Sequence, residues 1–255
     1  MGTELVSADG GVATVRRYAP GQRQARHTDD HSRVSLILRG RLREESGAGG
    51  LELRPGEILL KSCRVAHEDR FGGEGAVILS LEFRRDDPFA ALPGIWRRRN
   101  DARALRLGAA LIEAVDGRDR FGLDTIAADL TVGAATEAAH STPPPWLLRL
   151  KDELEAVSLA GIDVAARARA AGVHAAHASR LFRRCFGVSV TEHAQLHAVR
   201  RATTLLDRPE VSLSEVAVAA GFYDQSHMNR VFRRVRGIAP GALRATTARL
   251  SAACG

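Results

Sequence analysis

Cysteine is scarce in this chain of 255 residues, which has three cysteines, far apart and with no CxxC pair among them. That pattern is typical of reduced thiols in a cytoplasm. Long apolar runs are missing too: the best is AVILSLEF at 76–83, far short of the roughly 18 residues that span a bilayer. The N-terminal stretch MGTELVSADGG lacks a charged start followed by an apolar segment. We therefore expect a cytoplasmic protein that is neither exported nor bound to a membrane.

Lysine is nearly absent as well, because all but two of the 37 basic residues are arginine. The chain carries a net charge of +7, and its apolar content of 45% with a mean hydropathy of −0.14 is that of a folded globular protein. Residues 1–145 hold 21 basic and 21 acidic side chains, whereas residues 146–255 hold 16 basic and 9 acidic ones. A general preference for arginine explains why arginine is used instead of lysine. It does not explain why the excess of basic residues lies in the second half. The charge therefore predicts that the second half meets a polyanion.

Hydrophobic periodicity divides the chain at a proline-rich stretch. The first third contains short runs with period-two alternation, separated by glycine and proline turns, which predicts a small antiparallel β-barrel or sandwich. The pattern then predicts a helix over 102–116, and HSTPPP at 140–145 predicts a stiff linker. The predicted fold class is α+β. Its parts are an N-terminal antiparallel β-barrel at 1–90, a helical connection with the linker at 91–145, and an all-α domain at 146–255.

A nonapeptide occurs twice in the basic half, as SRLFRRCFG at 179–187 and as NRVFRRVRG at 229–237. The similarity extends upstream to a glycine, Gly172 in the first copy and Gly221 in the second. A glycine at the end of one helix and an apolar pair in the next are typical of two helices joined by a sharp turn. Each copy therefore predicts a helix–turn–helix whose second helix can lie in a DNA major groove.

Burial of the apolar pair in each second helix leaves polar and basic side chains on its outer face. Arg180 and Arg230 can each bind a guanine edge through two hydrogen bonds, and Asn229 suits adenine. The arginines one turn further along suit phosphates. The predicted DNA-binding residues are Ser179, Arg180, Arg183, Arg184, Gln225, Ser226, Asn229, Arg230 and Arg233. The alternative is an ordinary helical hairpin with a solvated basic face, and two copies in the basic half argue against it.

The two copies are not equivalent. Asp224 is a good cap for the second recognition helix, whereas His174 is a poor one for the first. Alanines at 175, 176 and 178 leave the first copy with fewer side chains for base contacts. The second copy is therefore predicted to carry more of the base discrimination.

The stretch SLSEVAVAAGFYDQSHMNRVFRRVRGIAP at 212–240 resembles the signature of AraC-type transcriptional regulators. The resemblance extends over 148–245 and implies two helix–turn–helix units joined by a long helix from about Val190 to Leu206. It implies that the two recognition helices enter successive major grooves of double-stranded DNA, about 34 Å apart on one face. In the joining helix, His193 stands where the family usually has an aromatic residue.

The front half resembles the cupin-like sensor barrel that many AraC-type regulators carry, through His27, the glycine turns in LRG and PGE, and His67. In an extended strand His27, Asp29 and His31 lie on one face, and His67 can approach from a later strand. Imidazoles that converge inside a barrel can bind a divalent metal, although the usual cupin HxH pair is absent. The predicted ligand-binding residues are His27, His31 and His67. Three alternatives stay open: a metal site, a pocket for an organic effector without metal, and no ligand.

Together these features predict a sequence-specific DNA-binding transcriptional regulator without catalytic residues, responsive to a small-molecule effector through its N-terminal barrel. The family resemblance also implies that the helix over 102–116 joins two copies in a homodimer; the alternative is a helix that packs on its own barrel. One alternative is a metal-dependent cupin enzyme with an accessory nucleic-acid-binding domain, which stoichiometric metal and turnover would favour. Another is a non-specific nucleoid or RNA-binding protein, which would bind without sequence preference.

Overall fold

The computed structural model describes residues 3–8, 11–47, 49–83, 96–99, 102–126, 143–156, 159, 163–170 and 172–253. Its N-terminal part is one antiparallel sheet. The strands are β1 (Thr3–Ala8), β2 (Gly11–Tyr18), β3 (Arg23–His27), β4 (Arg33–Ser46), β5 (Gly49–Leu53), β6 (Ile58–Lys61), β7 (His67–Glu82) and β8 (Trp96–Arg99). The strand order is β1-β2-β7-β4-β6-β8, while β3 pairs with β7 and β5 pairs with β4.

Strands β4 and β7 are the longest, and they pair with each other along most of their length. Two register shifts interrupt this pairing, so the strands bend there: Leu38 is one extra residue on β4, whereas Arg41 lies opposite four residues of β7, at 72–75. Gly40 lies between the two shifts with φ of 71°, and a Cβ at this position would lie 2.0 Å from the carbonyl oxygen of Gly75. Only glycine fits this close approach. Beyond the bend, the far halves of the two strands pair with β3 and β5.

Alternate side chains of the central strands lie on opposite faces of the sheet. One face belongs to the main hydrophobic core through Val15, Val34, Leu36, Leu60, Leu79 and Leu81. The other face holds a smaller apolar cluster of Ile37, Leu42, Leu53, Leu59, Phe71 and Ile78. Ser35 and Ser80 continue this second face, with their hydroxyl oxygens 3.0 Å apart. The second face is therefore polar at one end.

The prediction of a closed barrel is wrong for the described strands, because β1 and β8 stand at the two ends of the sheet. Helices cover the main apolar face instead. Helix α1 (Ala102–Asp116), which has the predicted bounds, buries Leu105, Leu111 and Ile112 in the same core. An apolar face that is covered by helices does not need the sheet to curl around it. The buried face of α1 also leaves that face no room to join a second copy.

The C-terminal part is helical. Its helices are α2 (Pro145–Ala156), α3 (Val164–Ala170), α4 (Ala175–Phe186), α5 (Val190–Leu206), α6 (Leu213–Ala219), α7 (Gln225–Arg236) and α8 (Pro240–Ala252). The joining helix expected from about Val190 to Leu206 is confirmed as α5. Residues 140–142 of the expected linker lie outside the described residues. No helix in the described ranges has the length and apolarity needed to cross a membrane.

The helical part packs on the sheet around a shared apolar core, with polar contacts beside it. Asp207, directly after α5, forms an ion pair with Arg39 and accepts the backbone N–H of Gly40 at 3.2 Å. Arg249 of α8 binds Asp116 at the end of α1, with the closest atoms 2.6 Å apart. The bend of β4 is therefore tied directly to the end of the joining helix.

Arg236, in the last turn of α7, is fully buried in this contact. Its guanidinium donates to the hydroxyl of Thr203 at 3.1 Å, and a Cβ at Gly56 would lie 2.9 Å from it. Burial lowers the pKa of Arg236 to about 10. The second recognition helix is thus held at its C-terminal end by both α5 and the turn before β6.

Candidate nucleic-acid interface and sensor site

The two sequence repeats fold as two helix–turn–helix units, α3 with α4 and α6 with α7. Gly172 and Gly221 form the turns with φ of 71° and 89°, a region that favours glycine. Ala168 and Ala217 are fully buried, as expected for small residues where two helices cross closely. The predicted pair of helix–turn–helix units is therefore confirmed.

The two recognition helices, α4 and α7, are capped with different strength. In α7 the carboxylate of Asp224 accepts the backbone N–H of His227 at 2.6 Å. In α4 a ring nitrogen of His174 accepts the backbone N–H of Ala176 at 3.3 Å. His174 does cap its helix, but through a longer bond and a neutral acceptor, so the first turn of α4 is held less firmly.

Burial separates an inner and an outer side in both recognition helices. Phe182 and Phe232 are fully buried and Val231 is buried, whereas Leu181, expected inside, is half-buried. The exposed members of the predicted DNA-binding set are Ser179, Arg180, Arg183, Arg184, Ser226, Arg230 and Arg233. Gln225 and Asn229 are half-buried. The outer side of each helix thus presents arginines to solvent.

Local contacts engage some of these side chains without removing them from the surface. The hydroxyl of Ser214 donates to Oε1 of Gln225 at 2.7 Å, which leaves the amide NH2 group of Gln225 outside this bond. Arg183 lies 3.6 Å from Glu192, and both side chains are more than half exposed. An exposed ion pair of this kind contributes little, so Arg183 can exchange Glu192 for a phosphate.

Arg201 joins α5 to two neighbouring helices, a role that no local sequence pattern indicates. Its guanidinium donates to the backbone carbonyl of Glu155 at 2.9 Å and to that of Ala220 at 2.9 and 3.1 Å. Glu155 lies in α2 and Ala220 ends α6, while Arg201 itself is in α5. Because the guanidinium is a rigid fork, these bonds fix the position of α5 against both neighbours.

On the second face of the sheet, two of the three predicted histidines meet. His27 and His67 are partners across β3 and β7, with ring centroids 4.3 Å apart. Asp29 lies beside them, its Oδ2 atom 3.6 Å from Nε2 of His67. His31 is exposed in the turn before β4 and does not join them. The strand ends at His27, so the alternation expected from an extended chain does not reach His31.

A lysine that the sequence analysis did not single out lies at the centre of these residues. The Nζ atom of Lys61 is 3.0 Å from Asp29, 3.0 Å from Glu44 and 2.6 Å from Nε2 of His67. Its side chain is 4% exposed. Burial lowers the pKa of Lys61, and the nearby Glu44 opposes this shift. We call His27, Asp29, Glu44, Lys61, His67 and Asp69 the charged cluster.

Burial shifts the protonation of two further members of the charged cluster. Burial and the ammonium of Lys61 lower the pKa of His67 to about 4. Its Nδ1–H donates to the carbonyl of Val65 at 2.7 Å, so Nε2 accepts from Lys61. Burial and the carboxylate of Glu44 raise the pKa of Asp69 to about 7. His67 is thus a neutral imidazole beside the ammonium of Lys61. The carboxyl of Asp69, in the same cluster, exchanges its proton near neutral pH.

The charged cluster does not fit a metal ion, although His27, Asp29 and His67 are ligand-type residues. The buried ammonium of Lys61 already lies within contact of Asp29, Glu44 and His67. A dication placed among the same atoms would meet an unscreened positive charge. The carboxylates of Asp29 and Glu44 are instead paired with the ammonium of Lys61 inside the cluster.

Residues 167–246 match the family model described as a helix-turn-helix domain. These residues are a helix–turn–helix domain. The chain is 34% identical over 112 residues to HTH-type transcriptional regulator GlxA of Rhizobium meliloti (strain 1021), covering 44% of this chain and 34% of that protein. It is 30% identical over 110 residues to the arabinose operon regulatory protein of Salmonella typhimurium, covering 42% of this chain and 39% of that protein. The chain thus spans little more than a third of the length of these relatives.

The chain also has a weak likeness to the solved structure of ToxT from Vibrio cholerae strain SCE256 with a bound unsaturated fatty acid. The TM-score is 0.38 at 11% identity, over 93% of this chain and 95% of ToxT.

We expect the half of a DNA site that faces α7 to carry more base discrimination than the half that faces α4. The firm cap at Asp224 preorganises α7, and a lost cap typically costs about 1 kcal/mol of helix stability. In α4, small residues surround Ser179 and Arg180. Binding should be measured on sites mutated in one half at a time, where each mismatched base pair in the α7 half should cost about 1–3 kcal/mol. Equal losses from both halves, or a larger loss from the α4 half, would contradict the asymmetry.

Proposed function

We propose that this protein is a sequence-specific DNA-binding transcriptional regulator of the AraC type that responds to a small-molecule effector. The observation that carries the proposal is the pair of recognition helices with arginines exposed on the outer side of each. Both helices lie in the half of the chain that holds the charge excess. The printed names of the two curated relatives, a transcriptional regulator and an operon regulatory protein, support it.

Double-stranded DNA is the proposed partner, with two kinds of contact. Arg180 and Arg230 bind guanine edges in successive major grooves, since each is exposed near the middle of its recognition helix. Asn229 reads an adjacent base, and because it is half-buried its side chain has less freedom to rotate. Arg183, Arg184 and Arg233 neutralise phosphates and supply affinity without sequence information.

The effector is proposed to bind at the charged cluster on the sheet. The charged cluster contains buried hydrogen-bond donors and acceptors, and charges of both signs. A small polar molecule can bind there by replacing some of the contacts that these side chains make with one another. Strand β4 carries Glu44 of this cluster and, at the bend, Arg39 and Gly40, which bind Asp207. A change in the cluster that moves β4 would therefore act on the end of α5, the helix that joins both DNA-reading units.

The competing functions make different demands on the same residues. A metal-dependent cupin enzyme needs a metal at the histidines, where the ammonium of Lys61 leaves no favourable position. A non-specific nucleoid or RNA-binding protein would show no base preference. A homodimer and a cytoplasmic location remain part of the proposal, and a homodimer would need a surface other than the buried face of α1.

The two classes of arginine give the test of this function. A protection assay on DNA upstream of the protein's own and neighbouring genes supplies the site. On that site, Arg230→Ala should cost about 1–3 kcal/mol and relax the preference at one base position. The matched variant Arg233→Ala, one turn along the same helix, should weaken all sequences about equally and reduce the slope of log affinity against log salt by about 0.9. A uniform loss for Arg230→Ala with unchanged preference would make it a phosphate contact, and no protected site at all would reject the function.

A further inference from the structure

A second cluster of ligand-type side chains lies in the helical part, between α2 and α5. His193 and His197 are one turn apart on α5, and Glu155 is in the last turn of α2. The Nε2 atoms of His193 and His197 lie 3.3 Å and 3.1 Å, respectively, from the same Oε1 atom of Glu155. The three ligand atoms all lie within 4.8 Å of one another. One helix thus presents two imidazoles to a carboxylate of its neighbour, and we call these three residues the histidine site.

More polar contacts meet at the histidine site than can all be hydrogen bonds at the same time. The Nζ atom of Lys151 lies 2.6 Å from the same Oε1 atom, so three nitrogens surround one carboxylate oxygen, which has about two lone pairs. Nε2 of His197 is also 2.9 Å from Nη1 of Arg200. A single ring nitrogen cannot donate to Glu155 and accept from Arg200 at the same time. Nε2 of His197 therefore either donates to Glu155 or accepts from Arg200, so it is not committed to Glu155.

The spacing of the ligand atoms matches a tetrahedral metal site. Zinc holds imidazole nitrogens at about 2.0–2.1 Å and carboxylate oxygens at about 2.0–2.2 Å, which separates two neighbouring ligand atoms by about 3.3–3.4 Å at the tetrahedral angle. The two distances to Glu155, 3.3 and 3.1 Å, are close to this separation, and the two imidazole nitrogens lie within 4.8 Å of each other.

Two cations lie beside the histidine site, Lys151 at Glu155 and the half-buried Arg200 at His197, and both must turn away when a metal ion binds. The side chain of Lys151 is 30% exposed and belongs to a pair four residues apart on a surface helix, which contributes little. It can turn into water when a dication arrives. Lys61, by contrast, is 4% exposed and is bound by three groups in the interior.

We propose that Glu155, His193 and His197 bind a divalent cation of the zinc class, with water as the fourth ligand. Imidazole and carboxylate together are the donor set that suits such ions. The ion would tie α2 to α5. Helix α2 also packs Leu150 and Leu154 against Phe182 of the first recognition helix. Metal binding would therefore stabilise the first helix–turn–helix unit, and the proposal stands whether or not the protein regulates transcription.

The test uses the full-length chain without a histidine tag, stripped with a chelator and titrated with Zn²⁺ and, as a spectroscopic probe, Co²⁺. We expect one ion per chain, with the visible absorption of four-coordinate cobalt. At one hundred times the dissociation constant, Zn²⁺ should raise the melting temperature by about 5–10 °C. Glu155→Gln and His197→Gln should each weaken binding at least about 100-fold. The matched control is His177→Gln, an exposed histidine of α4 outside the site, which should bind Zn²⁺ like the parent.

Several outcomes would overturn the proposal. One is the absence of a stoichiometric ion in a chain whose circular dichroism is native. Another is binding that Glu155→Gln and His197→Gln leave unchanged. A third is binding that is lost with His67→Gln but not with His197→Gln, which would assign the ion to the charged cluster instead.

Discussion

Replacing Lys61 by methionine should destabilise the N-terminal sheet by about 3–5 kcal/mol at neutral pH. The variant keeps most of the volume but removes the cation that Glu44 shares with Asp29, and only Asp29 also has an ion pair with Arg33. Breaking a buried ion pair by removing one partner costs this much because the remaining charge stays desolvated. The ammonium of Lys61 also opposes the raised pKa of Asp69, so without it this pKa should rise further and the folded variant should take up protons more readily than the unfolded chain. The loss should therefore be smaller at pH 5 than at pH 8.

Urea unfolding of the full-length chain at both pH values measures this effect. The control is Arg43→Met, which removes a basic residue of β4 whose side chain is 59% exposed and whose partner is Glu45. Such a surface pair is worth less than about 1 kcal/mol, so the control should unfold almost like the parent. A loss from Lys61→Met no larger than that of the control would mean that the cluster is solvated and its charges independent.

The helix–turn–helix half of the fold could be predicted from sequence because its determinants are local. Gly172 and Gly221 mark the turns, and Asp224 marks the start of a helix, each within a few residues of what it controls. The repeat supplied the second unit once the first was recognised. What could not be predicted is how the units are held, because Arg201 reaches Glu155 and Ala220 across 46 and 19 residues of chain.

The front half was harder to predict because its site depends on strand register. Lys61, Glu44 and His67 meet only through the pairing of β4 with β6 and β7. A shift of one residue would turn any of them to the opposite face. His31 was misassigned for a local reason, since the chain leaves the strand at His27. The closed barrel failed for a global one: helices cover the apolar face, and periodicity within a strand does not reveal which element covers it.

A fragment of residues 143–255 should keep the DNA preference of the full chain, whereas residues 1–142 should lose it entirely. The fragment contains α2–α8, both recognition helices and the charge excess, 16 basic against 9 acidic residues from 146 onward. Specific binding is typically at least about 1,000-fold tighter than non-specific binding, so the contrast between the fragments should be at least this large. If the three arginines proposed for phosphates each meet one, log affinity should fall with log salt with a slope of about −2.7.

Separation also exposes the surface of α7 and α8 that packs on α1 and the sheet, including the fully buried Arg236. The fragment should therefore unfold at lower denaturant than the same domain in the full chain while still recognising the same bases. Carrying Arg230→Ala in both the fragment and the full chain provides the control, because the loss of base preference should be the same in each. Equal DNA binding by residues 1–142 would refute the assignment of DNA binding to the C-terminal half. A fragment that is folded by circular dichroism but has no base preference would mean that the sheet contributes to reading DNA, and not only to controlling it.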